Sequence, residues 1–245
     1  MPENKDPKPV FELCTASVQA VELAAVHQLK AIELCTDLHC GGVTPSMGLV
    51  RFAREKFSGE LAILIRTRPG DFIYSPSEKR IMLDDVRKYV DLGVDAFVVG
   101  GLTAEGLIDE PFLEDIMTVS CGLNLCFHKA FDELTDQMKG LNTLIDFQWD
   151  RVLTSGGAAN ASLGIPQLKK LIDLSENKIC VMPGGGIRSD NILDILGATE
   201  CTRIHAALRK TDVASHSSKL NSMDLTDEEE LVRVLKLIAP HDFQA

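Results

Sequence analysis

The chain has 245 residues, with Lys plus Arg 25 and Asp plus Glu 36, so its net charge is −11. That balance argues against nucleic acid and anionic membrane surfaces as partners, because both reward clustered basic charge. No apolar run reaches the roughly 18 residues that span a bilayer, no apolar leader is visible, and seven cysteines without C-x-x-C spacing point to reduced thiols in the cytoplasm rather than to disulfides or a zinc knuckle.

Residues 1–9 are polar and proline-rich and read as a short disordered tail, followed by one domain over 10–245. Eight short apolar segments follow at 10–15, 31–36, 61–66, 96–100, 123–128, 151–155, 179–182 and 202–206. Their near-continuous apolar content suits strands buried on both faces. Helix signals alternate with them. Ser17 can cap the first helix, Thr44-Pro45 starts the second, and Ser75-Pro76-Ser77-Glu78 is a capping box before the third. Further helices are expected after Asp109, Asp132 and Pro166. Ser189 is a candidate cap for the next, and Thr226 with Glu229 forms a candidate capping box before the last. Strict alternation predicts the α/β class and a single (β/α)8 TIM barrel. The polar stretch 208–225 is expected to be a lid or an oligomer arm.

The barrel prediction assigns faces. Glu12-Leu13-Cys14-Thr15 recurs as Glu33-Leu34-Cys35-Thr36. Side-chain period 2 sends Glu12, Cys14, Glu33 and Cys35 toward the axis and Leu13 and Leu34 toward the helices. The same logic points Leu64, Arg66, Cys126, His128 and His205 inward. Buried charges must pair with each other or meet a ligand, so the cluster is either an internal salt-bridge network or a site. In the site reading, Glu12 and Glu33 act as acid and base, or hold a hard divalent metal. Arg66 and Arg68, with Asp71 in the same loop, hold an anion, and His128 and His205 move protons, with Asp132 available to orient His128. Gly184-Gly185-Gly186 after the seventh strand and Thr154-Ser155-Gly156 after the sixth stand where barrels often bind phosphate. No lysine is expected inward, and Lys129 should point away, which argues against Schiff-base chemistry. Cys14 and Cys35 would suit a soft ion such as Cu(I), or pack as small hydrophobes.

Glu33-Leu34-Cys35 followed by Gly41-Gly42-Val43-Thr44-Pro45-Ser46, the run Ile65 to Ser75, Phe127 to Asp132, Val152 to Gly156, and Met182-Pro183-Gly184-Gly185-Gly186 together resemble the signature of the CutC copper homeostasis family. The resemblance runs from about residue 10 to the last helix. It implies a TIM barrel, cytoplasmic and homo-oligomeric, linked to copper tolerance, with Cys14 and Cys35 matching the family's proposed Cu(I) ligands. The chain departs from the family pattern at Lys129, Thr67 and Ala206-Ala207, the last removing a possible extra thiol. The function expected is therefore Cu(I) binding in copper homeostasis. The alternative is a barrel isomerase, lyase or hydrolase acting on a small phosphorylated or carboxylated metabolite.

Overall fold

A computed structural model describes residues 8–210 and 224–238. The expected tail (1–7) and most of the expected lid or arm (211–223) lie outside the described residues. The strands are β1 Val10–Thr15, β2 Ala31–Leu34, β3 Glu60–Leu64, β4 Ala96–Val99, β5 Asn124–Phe127, β6 Arg151–Thr154, β7 Cys180–Pro183 and β8 Arg203–Ala206. All pair in parallel in the order β7-β6-β5-β4-β3-β2-β1-β8. A parallel bridge between Gly184 and His205 brings β7 against β8, so the eight strands form a nearly closed (β/α)8 barrel.

The helices are α1 Val18–Val26, α2 Met47–Lys56, α3 Pro76–Val90, α4 Glu110–Val119, α5 Gln137–Asp146, α6 Ala161–Ser175, α7 Ile192–Thr199 and α8 Glu228–Ile238. Ser17, Ser75 and Asp109 cap α1, α3 and α4 as expected, and Ser75 with Glu78 forms the reciprocal capping box. Other starts differ. Ser46, not Thr44, caps α2, because Thr44 is spent on the Arg66 backbone. Lys129–Glu133 is a 3-10 turn, and Asp136 caps α5. Asn160 caps α6, which begins five residues before Pro166. Asn191 occupies the N-cap of α7, while Ser189 binds Glu230 instead. Asp227 accepts the Glu230 N–H at the start of α8, and the Thr226 backbone is tied to Gln19.

Two apolar layers result. The outer one lies between strands and helices and holds Leu13, Ile32, Leu34, Ile63, Phe97, Phe127 and Trp149. The inner one fills the barrel with Cys14, Cys35, Ala62, Leu64, Ala96, Val98, Cys126, Leu153 and Met182. Period 2 along each strand separates the two sets.

Candidate functional site

Charge inside the barrel is divided between two levels. At the amino-terminal end, Glu60, Arg151 and Arg203 start β3, β6 and β8 and turn inward toward Glu12. Arg203 donates to Glu12 Oε2 from Nε at 3.1 Å and Nη2 at 2.6 Å, and its Nη1 donates to Glu60 at 3.0 Å. Arg151 also pairs with Glu60. His205 Nδ1 donates to the other Glu12 oxygen at 3.0 Å. Burial pushes the Glu12 pKa up, but the hydrogen bond and charge of His205 and the two guanidinium groups win and hold it at about 2. His205 moves the other way. Burial opposes its charge, yet Cys14, Glu12 and Glu33 raise its pKa well above the ordinary 6.5, so it is an imidazolium.

Glu12 does not line the cavity above this network. The acid–base partnership expected of Glu12 and Glu33 is therefore corrected. Glu12 anchors His205 and two arginines, and Glu33 alone reaches the open space.

The cavity sits at the carboxyl ends of the strands and has a volume of about 690 Å³. Cys14, Glu33 and His205 lie on its lining. The β1–β2 register pairs Glu12 with Ala31 and Cys14 with Glu33, a stagger of two residues relative to the sequence repeat. It brings Cys14 Sγ to 3.7 Å from Glu33 Oε1 and to 3.9 Å from Cys35 Sγ. Both cysteines are free and buried, Cys35 fully so beneath the lining. The Cys35 hydrogen bond and burial push the Cys14 thiol well above 9. Burial likewise raises Glu33, so its carboxyl holds a proton more tightly than an exposed one. Cys14, Glu33 and His205 place one ligand-type atom each within 4.8 Å of one another.

Arg66, Phe72 and His128 all line the cavity, and both Arg66 and His128 pack against the Phe72 ring. The guanidinium lies 4.7 Å over the Phe72 ring, and the imidazole centroid is 4.8 Å from it. Arg66 Nη1 donates to the carbonyls of Cys40 and Gly42 and Nη2 to Gly70 at 2.6 Å. Gly42 takes φ +84°, and a Cβ there would meet Leu64 at 2.8 Å, so the loop that receives Arg66 requires glycine at this position. His128 Nδ1 accepts the Ala130 N–H at 3.2 Å. Burial and the Arg66 charge lower the His128 pKa to about 3, so the ring is neutral with its proton on Nε2.

Several expected site residues are placed elsewhere. Arg68 binds Glu78, Asp71 and the Ile73 carbonyl, and Asp71 is an exposed loop brace; neither lines the cavity. Asp132 lines it but does not orient His128. Its carboxylate accepts from Thr154 Oγ1, from Ser155 N and Oγ, and from Gly157 N. The Gly156 N–H goes to Thr154 Oγ1 at 2.9 Å. The anion that Thr154, Ser155 and their loop hold is thus the chain's own Asp132, and these residues are not on the cavity lining. Gly184 N donates to the Thr154 carbonyl, which leaves Gly185 and Gly186 as the members of the triple glycine that border the cavity.

Lys129 corrects another expectation. It lines the cavity, with Nζ 3.5 Å from Asp132 and 3.2 Å from the place a Gly185 Cβ would take. Sequence reasoning also passed over Arg151 and Arg203. Arg203 shares the parity of His205, and Arg151 that of Leu153, which lines the cavity, so period 2 could have found both.

Comparison with known proteins agrees with this fold. The CutC family model matches residues 10–210. A CutC protein of Glaesserella parasuis is 36% identical over 238 residues, covering 93% of this chain and 98% of its own. The human protein named copper homeostasis protein cutC homolog is 38% identical over 202 residues, covering 82% of this chain and 74% of its own. The crystal structure of CutC from Streptococcus agalactiae superposes with a TM-score of 0.74 at 32% identity, covering 81% of this chain and 98% of that one. An aldolase, QR15, shares the fold alone, with a TM-score of 0.64 at 13% identity, covering 83% of this chain and 92% of that one. The chain belongs to the CutC family.

Proposed function

We propose that this chain binds Cu(I) through Cys14 and Cys35 as part of copper homeostasis. The observation that carries the reading is the pair of free, buried sulfurs 3.9 Å apart, reached from the cavity through Cys14. That separation is shorter than two metal–thiolate bonds laid end to end, so one ion can bridge the two sulfurs. Thiolates are the soft ligands that select Cu(I).

Charge balance supports the same reading. Cu(I) with two thiolates carries one negative charge, and His205 brings one positive charge to the same buried spot. His205 therefore acts as the counter-charge, held ready by Glu12, rather than as a ligand. Burial raises the Glu33 carboxyl beside Cys14 above its ordinary value. A dithiol of this kind must stay reduced, which fits a cytoplasmic location. A homo-oligomeric state belongs to the same family expectation.

The test is anaerobic titration of the reduced chain with Cu(I) against a chromophoric Cu(I) chelator. One ion per chain is expected, lost in Cys14→Ser and in Cys35→Ser. Unchanged stoichiometry in the double variant would exclude the dithiol as the site.

A further inference from the structure

Away from the barrel sulfurs, one further cluster of metal-ligating side chains stands among the described residues. Asp37, His39 and Cys40 bring a carboxylate oxygen, an imidazole nitrogen and a sulfur within 4.8 Å of one another. His39 Nδ1 lies 2.9 Å from Asp37 Oδ1, and Cys40 Sγ lies 3.3 Å from Asp37 Oδ2. All three residues belong to one 3-10 turn, Leu38–Cys40, and its N-cap Asp37.

Contacts with the barrel fix the shape of this turn. Thr36 and Val43 exchange backbone hydrogen bonds of 3.0 and 2.8 Å, which closes its base. The Leu38 N–H donates to Asp224 Oδ2 at 2.9 Å, and the buried Arg66 donates from Nη1 to the Cys40 carbonyl at 3.3 Å. Asp37 takes φ +64°, a left-handed conformation that a short polar side chain tolerates by bonding locally. In that conformation its carboxylate reaches both His39 and Cys40. The three ligand atoms are gathered before any ion arrives, which lowers the ordering cost of binding.

The donor set decides the metal. Calcium and magnesium are hard ions that take oxygen ligands, so a sulfur and an imidazole disfavour them. Cu(I) selects soft sulfur, of which this turn has one and the barrel interior two. One sulfur, one nitrogen and one carboxylate oxygen suit a divalent ion of the zinc class, and three protein ligands leave such an ion a fourth position. Leu38, Cys40 and Gly41 border the cavity, and the Asp37 and His39 side chains are 48% and 52% exposed, so the turn is open to solvent and water can fill that position. The other group of this kind, Cys14, Glu33 and His205, is already committed: Cys14 belongs to the dithiol, and His205 is tied to Glu12.

We propose that Asp37, His39 and Cys40 form a second metal site, which binds a zinc-class divalent ion at the rim of the cavity with one coordination position open. The site stands apart from copper binding, since neither Cys14 nor Cys35 is among its ligands.

The test is optical titration of the reduced, copper-free chain with Co(II), whose thiolate complexes show a sulfur-to-cobalt charge-transfer band, followed by addition of Zn(II). One Co(II) per chain should bind and give the band, and Zn(II) should bleach it. Cys40→Ser should abolish the band, and His39→Ala should weaken Co(II) binding at least about tenfold. The Cys14→Ser, Cys35→Ser double variant should keep the band. Circular dichroism checks that each variant retains the barrel, and in the wild-type chain the His39 ring signals should move on addition of Zn(II). Absence of the band in the wild type, a band that survives Cys40→Ser, a band lost in the Cys14→Ser, Cys35→Ser variant, or His39 signals unmoved by saturating Zn(II) would each overturn the proposal.

Discussion

Glu12 on β1 and His205 on β8 stand directly opposite in the strand register, and their side chains meet at 3.0 Å inside the barrel. The contact fixes an anion and a cation where neither is tolerated alone. It also ties the amino-terminal charge network to the layer that holds Cys14.

Glu12 therefore matters for stability through its charge. Its folded pKa of about 2 lies below the ordinary 4.5. That depression is worth about 3 kcal/mol. The contribution is fully present above pH 4.5 and is lost as pH falls through the folded value. Glu12→Gln should lower stability at pH 7 by roughly 3–5 kcal/mol, because it also strands His205, Arg151 and Arg203. Urea unfolding at pH 7 and pH 3 checks both, and the gap between variant and wild type should narrow at the lower pH. An equal gap at both pH values would contradict it.

The two inward histidines should titrate in opposite directions. His128 stays neutral until about pH 3, and His205 stays protonated well above 6.5. The buried neutral His128 destabilises the fold progressively as pH drops from 6.5, since the unfolded chain takes up a proton it cannot. The charged His205 stabilises below 6.5, and that contribution fades as pH rises through its elevated value. Histidine Cε1–H NMR between pH 5 and 8 should show neither ring titrating near 6.5.

Copper uptake should release protons. Burial and Cys35 hold the Cys14 thiol well above its usual range, so the metal must displace that proton. Apparent Cu(I) affinity should rise at least about tenfold per pH unit between 6 and 8. Titration in two buffers of different ionisation enthalpy measures the proton directly. A pH-independent affinity would mean that Cys14 is not a ligand.

Asp132 is a brace, and its loss should unfold a loop rather than remove a chemical group. Asp132→Ala strands donors from Thr154, Ser155 and Gly157 and should cost about 2–4 kcal/mol. The same loop packs backbone to backbone on α6, where a Cβ at Gly164 would lie 1.8 Å from the Ser155 carbonyl oxygen. Gly164→Ala should be at least as damaging, by overpacking. Thermal unfolding of the two variants decides this.

Alternation made the barrel legible, because eight apolar segments between capped helices leave few other topologies. Parity along each strand was enough to turn Glu12, Cys14, Glu33, Cys35 and His205 inward. What parity could not supply was depth. Glu12 and Glu33 look equivalent in the repeat, yet the two-residue stagger between β1 and β2 puts one on an arginine pair and the other on the cavity. Loop chemistry was hidden for a different reason. Thr154, Ser155 and Gly156 carry anion-binding groups, and only the folded chain shows that Asp132 already occupies those of Thr154 and Ser155, while the Gly156 N–H is spent on Thr154 Oγ1. Lys129 was misplaced because a 3-10 turn, not a regular helix, follows β5 and aims it at Gly185.

A copper ion bridging Cys14 and Cys35, as proposed, has a direct signature in its first coordination shell. X-ray absorption of the Cu(I)-loaded chain measures that directly. Two sulfur neighbours are expected in the first shell, falling to one or to a loss of bound copper in Cys35→Ser. A first shell of nitrogen and oxygen only, or a spectrum unchanged by Cys14→Ser with Cys35→Ser, would contradict it.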